Sequence, residues 1–416
     1  MSNEKISRFS PAIQVIFIFG IISLLGDMVY ESARSANSQY FNIIGVTATQ
    51  IGLAFGIGEF LGYFLRLIAG VLSDKSGKHW FFIFFGYGAL AVVPIMGFTM
   101  NWNILVVLVL MERIGKSLRN PAKDTILSGV AENQVGTGFA FGLQEALDQI
   151  GAFSGPLIFA FVFYITGKNG ITQYQSGYKL LIIPFIVLML FVFFAYIKIK
   201  RNNLIPSLKI REYRSERLKP IFWIYLGFTF FTTIGFVNFA LIGFHLKSNG
   251  LISDGNITLL YAGAMAIDAL TAIIIGKTYD KMKVKSGNKT GGLIVLLSIP
   301  FITVLLPFLT LTNSIVLIIA GMTIFGIVMG AHETIMRSAI ADITPFYKRG
   351  TSFGVFNAGY GLALLAGAAL MGWLYDKNMN GIIISVSCVT EFVAVLFFVW
   401  MNINAKKSPP PELREK

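Results

Sequence analysis

The chain has 416 residues, of which 55% are apolar and 13% charged, and its formal net charge is +13. Soluble domains carry roughly 25% charged residues, so this composition, with a mean hydropathy of +0.70, excludes an ordinary soluble protein and indicates a helical membrane protein. A membrane β-barrel is excluded as well, because its strands would show short alternating patterns in place of long apolar runs.

The apolar residues fall into twelve stretches, each long enough to cross about 30 Å of hydrocarbon as a helix. The spans are predicted near residues 11–34, 47–72, 80–99, 102–121, 137–165, 178–198, 220–246, 256–276, 291–311, 314–337, 351–373 and 380–402. Most of the basic residues lie in the intervening segments on the same side as the N-terminus. The positive-inside rule therefore predicts a multi-pass protein of the cell membrane with both termini in the cytoplasm. The basic excess sets this topology and contacts membrane lipids, and no nucleic-acid partner is expected.

The longest polar interior stretch, residues 201–219, divides the chain into two halves of six spans each. It predicts an N-terminal six-helix bundle (1–200), a cytoplasmic linker (201–219), and a C-terminal six-helix bundle with a short cytoplasmic tail (220–416). The halves repeat a G-x-x-x-D-K pattern after the second and the eighth span, at 70–75 and 276–281. Two six-span halves with a site between them are typical of alternating-access transporters.

The chain resembles the major facilitator superfamily over nearly its whole length. The resemblance rests on the loop residues Gly70, Asp74, Lys75, Gly77 and Lys78 and on their second copy, Gly276, Asp280 and Lys281. It implies twelve transmembrane helices in two pseudo-symmetric bundles, and a gating role for these residues. In span five, the spacing of Gly142, Gly151, Gly155 and Pro156 is similar to the antiporter motif of the superfamily, which implies export.

Charged side chains within spans indicate function, because each costs several kcal/mol at membrane depth unless it is paired or faces a cavity. Asp27, Glu31 and Arg34 are spaced by about one helical turn in span one, so they share one face. The sequence predicts a cavity-facing stripe; the alternative is a Glu31–Arg34 pair that only fixes helix packing.

Span four continues into ERIGKSLRNPAKD, residues 112–124, which is similar to the span-four sequence of a prokaryotic branch of the superfamily. Its charged residues fall on one side of a helix, with Lys116 and Arg119 within a single arc and Arg113 beside it. The helix is predicted to run to about Asn120 and to end at Pro121. Lys123 and Asp124 are accordingly predicted at the cytoplasmic edge.

Glu145 and Asp148 lie one turn apart near the cytoplasmic end of span five. Two neighbouring carboxylates in a low dielectric resist being ionised together, so the pair can bind and release a proton near neutral pH. The alternative is a static salt bridge between spans four and five.

The sequence thus predicts a monomeric secondary transporter that moves a small anionic or zwitterionic solute, with protons as the coupling ion and export as the direction. Protons are assigned to Asp27, Glu31, Glu145 and Asp148, and the substrate to Arg34, Arg113, Lys116 and Arg119. No cofactor is expected. An enzyme is not expected either, because the sequence contains no H-E-x-x-H, G-x-S-x-G, C-x-x-C or Walker-type motif.

Three alternatives stay open. The first is uptake by proton symport. The second is transport of a divalent metal, with Asp27, His245 and His332 as candidate ligands. The third is a membrane sensor or scaffold, which would usually carry an attached soluble domain.

Overall fold

The computed structural model describes residues 11–132, 137–201, 218–286, 291–344 and 349–407. These residues form twelve helical segments, and no strand occurs among them. The segments are α1 Pro11–Ile43, α2 Ala48–Ser76, α3 His79–Phe98, α4 Trp102–Glu132, α5 Thr137–Thr166, α6 Ile171–Arg201, α7 Pro220–Ser248, α8 Asp254–Ser286, α9 Gly291–Thr310, α10 Ile315–Ile343, α11 Arg349–Asp376 and α12 Asn380–Lys407. The predicted linker lies largely outside the described residues, so the domain boundaries stay a prediction.

Eleven of the described helices are long and apolar enough to cross a membrane. The remaining segment, α4, is as long as the others, but charged residues fill its second half. A helix of this kind is tolerated at membrane depth when its charges face a cavity or pair with one another.

The prediction that α4 ends at Pro121 is wrong, because the helix continues through this residue to Glu132. Pro121 removes one backbone N–H, but a membrane helix keeps its remaining hydrogen bonds because no water can replace them. The Thr125 hydroxyl donates to the Pro121 carbonyl at 2.9 Å. Lys123 is buried, 5% exposed, and the helix continues beyond it to Glu132.

Helix α7 is interrupted without a proline. Its first half ends at Ile234 and its second half begins at Phe239. Asn238 caps the second half, since its side-chain oxygen accepts the Leu241 N–H at 3.1 Å. The break leaves four residues of non-helical backbone in the middle of a span, which membrane proteins tolerate where the backbone is buried in protein or lines a cavity.

The two halves of the molecule meet tightly at one end, here called the closed end, which carries the turns α1–α2 and α11–α12. Asp376 at the end of α11 accepts hydrogen bonds from the Ala48 N–H at 2.9 Å and the Thr49 N–H at 2.7 Å, and the Thr49 hydroxyl donates to it at 2.5 Å. A carboxylate at a helix N-terminus satisfies free N–H groups and the helix dipole. The opposite end, which carries the α2–α3 turn, is called the open end.

Candidate functional site

A central cavity of about 440 Å³ lies between the halves. Its walls come from α1, α2, α3, α4 and α5 of the first half and from α7, α8, α10 and α11 of the second half. Towards the open end its lining includes the exposed side chains of Glu145 and Glu333. A volume of this size falls in the range of small-molecule sites, about 300–1,000 Å³.

The predicted stripe of α1 faces this cavity, as Asp27, Glu31 and Arg34 all line it. Arg34 Nη1 lies 3.5 Å from Glu31 Oε1, so the predicted internal pair forms as well. The Tyr261 hydroxyl on α8 donates to Glu31 Oε2 at 2.5 Å. Glu31 therefore joins the two halves through a hydrogen bond that opening of the closed end would break.

Arg113 on α4 is enclosed by carboxylates. Its Nη1 lies 2.9 Å from Glu59 Oε1, its Nε lies 3.3 Å from Glu112 Oε2, and its Nη1 also donates to the Tyr30 hydroxyl. The Arg113 side chain is only 5% exposed, and its charge is compensated inside the first half. A substrate anion would have to compete with two carboxylates for this guanidinium.

Three further cations on α4 have aromatic or neutral polar partners. Lys116 Nζ lies 3.8 Å from the ring centroid of Tyr30. The Arg119 guanidinium lies 4.8 Å from the ring centroid of Tyr87 and donates to the Gly86 carbonyl at 3.3 Å. Lys123 Nζ donates to the Ser23 hydroxyl at 2.7 Å.

Among the described residues, no carboxylate oxygen lies within 4.0 Å of the charged nitrogens of Lys116, Arg119 or Lys123. All three line the cavity. They form a cationic face of α4 that lacks a fixed counter-ion, which suits a negatively charged group of a solute.

Carboxylates from both bundles line the cavity. Asp148 on α5 lies within electrostatic range of Asp27 and Lys123. Glu145, one turn away, accepts a hydrogen bond from Gln149 at 3.4 Å. In the second half, Asp268 is 2% exposed and lines the same cavity. Asp27 on α1 and Asp148 on α5 thus line the same cavity as the cationic face of α4.

The predicted gating residues lie at the open end. Asp74, Lys75 and Lys78 are exposed around the α2–α3 turn, and Gly77 has a φ of 63°, which favours glycine. The second copy, Gly276, Asp280 and Lys281, lies near the corresponding end of α8. Gly70 packs against Pro121, since a Cβ there would lie 3.5 Å from the proline Cβ.

Sequence reasoning missed the aromatic hydroxyls and one further repeat. Tyr30 and Tyr261 carry no charge. Their presence in an apolar run therefore does not carry the energetic cost that indicates function for a charged residue. A third G-x-x-x-D-K, from Gly372 to Lys377, holds the Asp376 that caps α2, and comparison of span ends would have found it.

The candidate metal ligands have other partners. His245 Nδ1 lies 2.9 Å from the Tyr375 hydroxyl and Nε2 lies 3.1 Å from the Thr312 carbonyl, at the closed end. The His332 ring lies 5.5 Å from the ring of Phe236. Within the described ranges, no group of three or more His, Cys, Asp or Glu side chains could hold a metal ion.

A family model described as Major Facilitator Superfamily matches residues 15–285 and 227–416. An uncharacterised protein of Mycobacterium tuberculosis is 33% identical over 404 residues, which cover 95% of each chain. An uncharacterised MFS-type transporter of Methanocaldococcus jannaschii is 25% identical over 398 residues, which cover 92% of this chain and 94% of the relative.

Solved structures share the fold at low sequence identity. A bacterial homologue of the human lysosomal transporter Spinster, inward-facing and unoccupied, has a TM-score of 0.66 at 14% identity and covers 96% of both chains. A POT family transporter in complex with 5-aminolevulinic acid has a TM-score of 0.70 at 13% identity, with 94% of this chain and 96% of that chain covered. A D-xylose–proton symporter has a TM-score of 0.65 at 14% identity, with 93% and 96% covered.

Proposed function

Because the chain belongs to the major facilitator superfamily and is a secondary transporter of that type, we propose that it exports a small zwitterionic solute in exchange for protons. The observation that carries this proposal is that the cationic face of α4, formed by Lys116, Arg119 and Lys123, lines the same cavity as the carboxylates Asp27 and Asp148. A zwitterion satisfies both sets of charges at once, with its anionic group at α4 and its cationic group at the carboxylates.

Whether solute and proton are exchanged or bind together depends on the charge of the solute group that lies next to the carboxylates. A cationic group next to Asp27 and Asp148 stabilises their ionised form and competes with a bound proton. Solute and proton then occupy the site alternately, which is the requirement for antiport. A purely anionic solute would draw Lys123 away from Asp148 and favour protonation, so that solute and proton would bind together, as in symport.

The α5 glycines support export only through the family resemblance, but their structural role is visible. Gly151 and Gly155 pack against the backbone of α1 at Leu24 and Met28, and the Ser32 hydroxyl donates to the Gly155 carbonyl at 2.5 Å. This close approach brings Asp148 on α5 towards the Asp27 face of α1. In the proposed cycle, a shift between α1 and α5 changes the distance between the two carboxylates.

The test begins with thermal-shift screening of the purified protein against zwitterionic amino acids and betaines, dicarboxylates, and organic amines. Zwitterions are expected to raise the melting temperature, and Lys116→Gln and Asp148→Asn are each expected to remove that stabilisation. Counterflow in proteoliposomes with an imposed pH gradient then sets the direction, with solute and proton fluxes expected to be opposite. Stabilisation by dicarboxylates alone, with parallel fluxes, would replace the proposal with proton-coupled uptake of an anion.

A further inference from the structure

A buried carboxyl lies outside the central cavity, on α12. Glu391 is 2% exposed, and its Oε2 accepts a hydrogen bond from the Thr232 hydroxyl at 2.6 Å. Its Oε1 has no hydrogen-bond partner, and no basic side chain of the described ranges forms an ion pair with it. Because an uncompensated carboxylate at membrane depth costs several kcal/mol, this carboxyl holds a proton in the present conformation.

The carboxyl lies against the break in α7. A Cβ on Gly235 would come within 2.8 Å of Glu391 Oε1, and the Ser387 hydroxyl donates to the Gly235 carbonyl at 2.9 Å. The first half of α7 ends at Ile234, so Glu391 faces the C-terminal end of a helix, which carries partial negative charge. An ionised carboxylate would be repelled there, whereas the neutral acid is not.

In the part of the chain that the structure describes, no charged group lies close enough to Glu391 to replace the proton. On the elements packed around Glu391, the first half of α7 has Tyr225 as its one ionisable residue, α9 has none, and α11 carries its charged groups at its ends. Cys388 precedes Glu391 by one turn on α12. On α10, the ring of His332 lies 5.5 Å from the ring of Phe236, the residue after Gly235, and Glu333 lines the cavity.

The break connects this carboxyl to the central cavity. Phe236 and Asn238, which directly follow Gly235, line the cavity wall. A rearrangement of α7 that moves the cavity wall must therefore also move the backbone that touches Glu391. Half-helix ends at such breaks are where membrane transporters bind coupling cations.

We propose that Glu391 is a second proton-binding site, located at the α7 break, which holds its proton in the present conformation and releases it when α7 moves. The packing favours a proton over Na⁺, because a hard cation takes about six oxygen ligands. Here Oε2 accepts a hydrogen bond from the Thr232 hydroxyl, and Oε1 lies beside Gly235 with no hydrogen-bond partner among the described residues. The proposal rests on transport being proton-coupled, but it concerns a group that the solute does not touch.

Infrared difference spectroscopy of the full chain in lipid nanodiscs, without solute, tests the site. The wild type is expected to show the C=O stretch of a buried carboxylic acid at pH 6 and to lose it by pH 9. Glu391→Gln is expected to lack that band, whereas Asp148→Asn and Cys388→Ser keep it. A wild-type band that does not change with pH, or one that persists in Glu391→Gln, overturns the proposal.

Two further measurements test whether the bound ion is a proton and whether Glu391 carries it. Replacing choline chloride by NaCl at constant pH is expected to leave the band unchanged, and a loss of the band with Na⁺ would make Na⁺ the ligand and overturn the proton assignment. Should Glu391→Gln fail to fold, Thr232→Val is expected to retain the band but to raise the pH at which it is lost, because the hydroxyl that stabilises the carboxylate is gone. Failure of zwitterion–proton exchange in proteoliposomes would leave these spectra unaffected, so the two proposals fail separately.

Discussion

Arg113 and Lys116 lie one turn apart on α4, but their charges are compensated in different ways. Arg113 contacts Glu59 and Glu112, whereas Lys116 lies over the ring of Tyr30. The first cation therefore stabilises the interior of the first half, and the second stays accessible to a solute. Lys116 remains a proposed substrate ligand, and Arg113 is better suited to holding α2 and α4 together.

This difference predicts that two matched variants change different properties of the protein, namely its stability in Arg113→Gln and its response to solute in Lys116→Gln. Arg113→Gln leaves the buried Glu112 and the partly buried Glu59 without their cation, and its expected cost is about 3 kcal/mol of stability. Lys116→Gln removes a cation–π contact and is expected to cost about 1 kcal/mol or less. Melting temperatures in detergent measure the first effect, and stabilisation by added zwitterions measures the second. Equal destabilisation by both variants would contradict this division.

The residues of the site could be predicted from the sequence only where they share one helix. Helical spacing placed Asp27, Glu31 and Arg34 on one face, and all three line the cavity. Partners from other helices, such as Tyr261 for Glu31, depend on how the two halves pack. No pattern within a single span carries that information.

At the scale of the helices, local rules failed at both interruptions of regular structure. Pro121 predicted an end, but α4 continues because the membrane offers no alternative partner for the backbone. In contrast, α7 breaks at Gly235 without a proline, and α12 supplies the side chain of Ser387 to the freed carbonyl. The surroundings of the helix decide both cases.

The break in α7 yields a prediction about its cap. Asn238→Ala removes the side-chain acceptor of the Leu241 N–H and leaves the Asn238 carbonyl as its acceptor, and loss of an N-cap costs about 1 kcal/mol. Hydrogen exchange is expected to accelerate at residues 239–242 and to stay unchanged in α10. Asn238→Asp, which keeps an acceptor oxygen, serves as the control and should exchange as the wild type does. Uniform acceleration in both variants would show that the cap does not hold the second half of α7.

For the whole molecule, composition and span count predicted the all-helical membrane fold, and the family match and the likeness to solved transporters confirm it. The sequence could not show which conformation the halves adopt, because the same chain must form contacts at either end in turn. The repeated G-x-x-x-D-K pattern reflects this requirement. Two copies lie at the open end, and the third places Asp376 on the N-terminus of α2 at the closed end.

The Asp376 contact should contribute measurably to the balance between the two conformations. Asp376→Ala removes the acceptor of three hydrogen bonds at the start of α2, and loss of such a cap costs about 1 kcal/mol. Because about 1.4 kcal/mol corresponds to a tenfold change in an equilibrium constant, the fraction of molecules in which the closed end has opened is expected to rise about fivefold. Asp376→Asn, which keeps one acceptor oxygen, should give an intermediate shift.

Spin labels across the closed end can measure that population. Asn101 follows α3 in the first half and Asn313 precedes α10 in the second, and both are exposed. In a Cys388→Ser background, pulsed dipolar distances between labels at these positions should lengthen in Asp376→Ala. Lys377→Ala changes the neighbouring charge without touching the hydrogen bonds and should match the wild type. If Lys377→Ala shifts the distances as far as Asp376→Ala does, surface charge and not the hydrogen bonds of Asp376 controls the closed end.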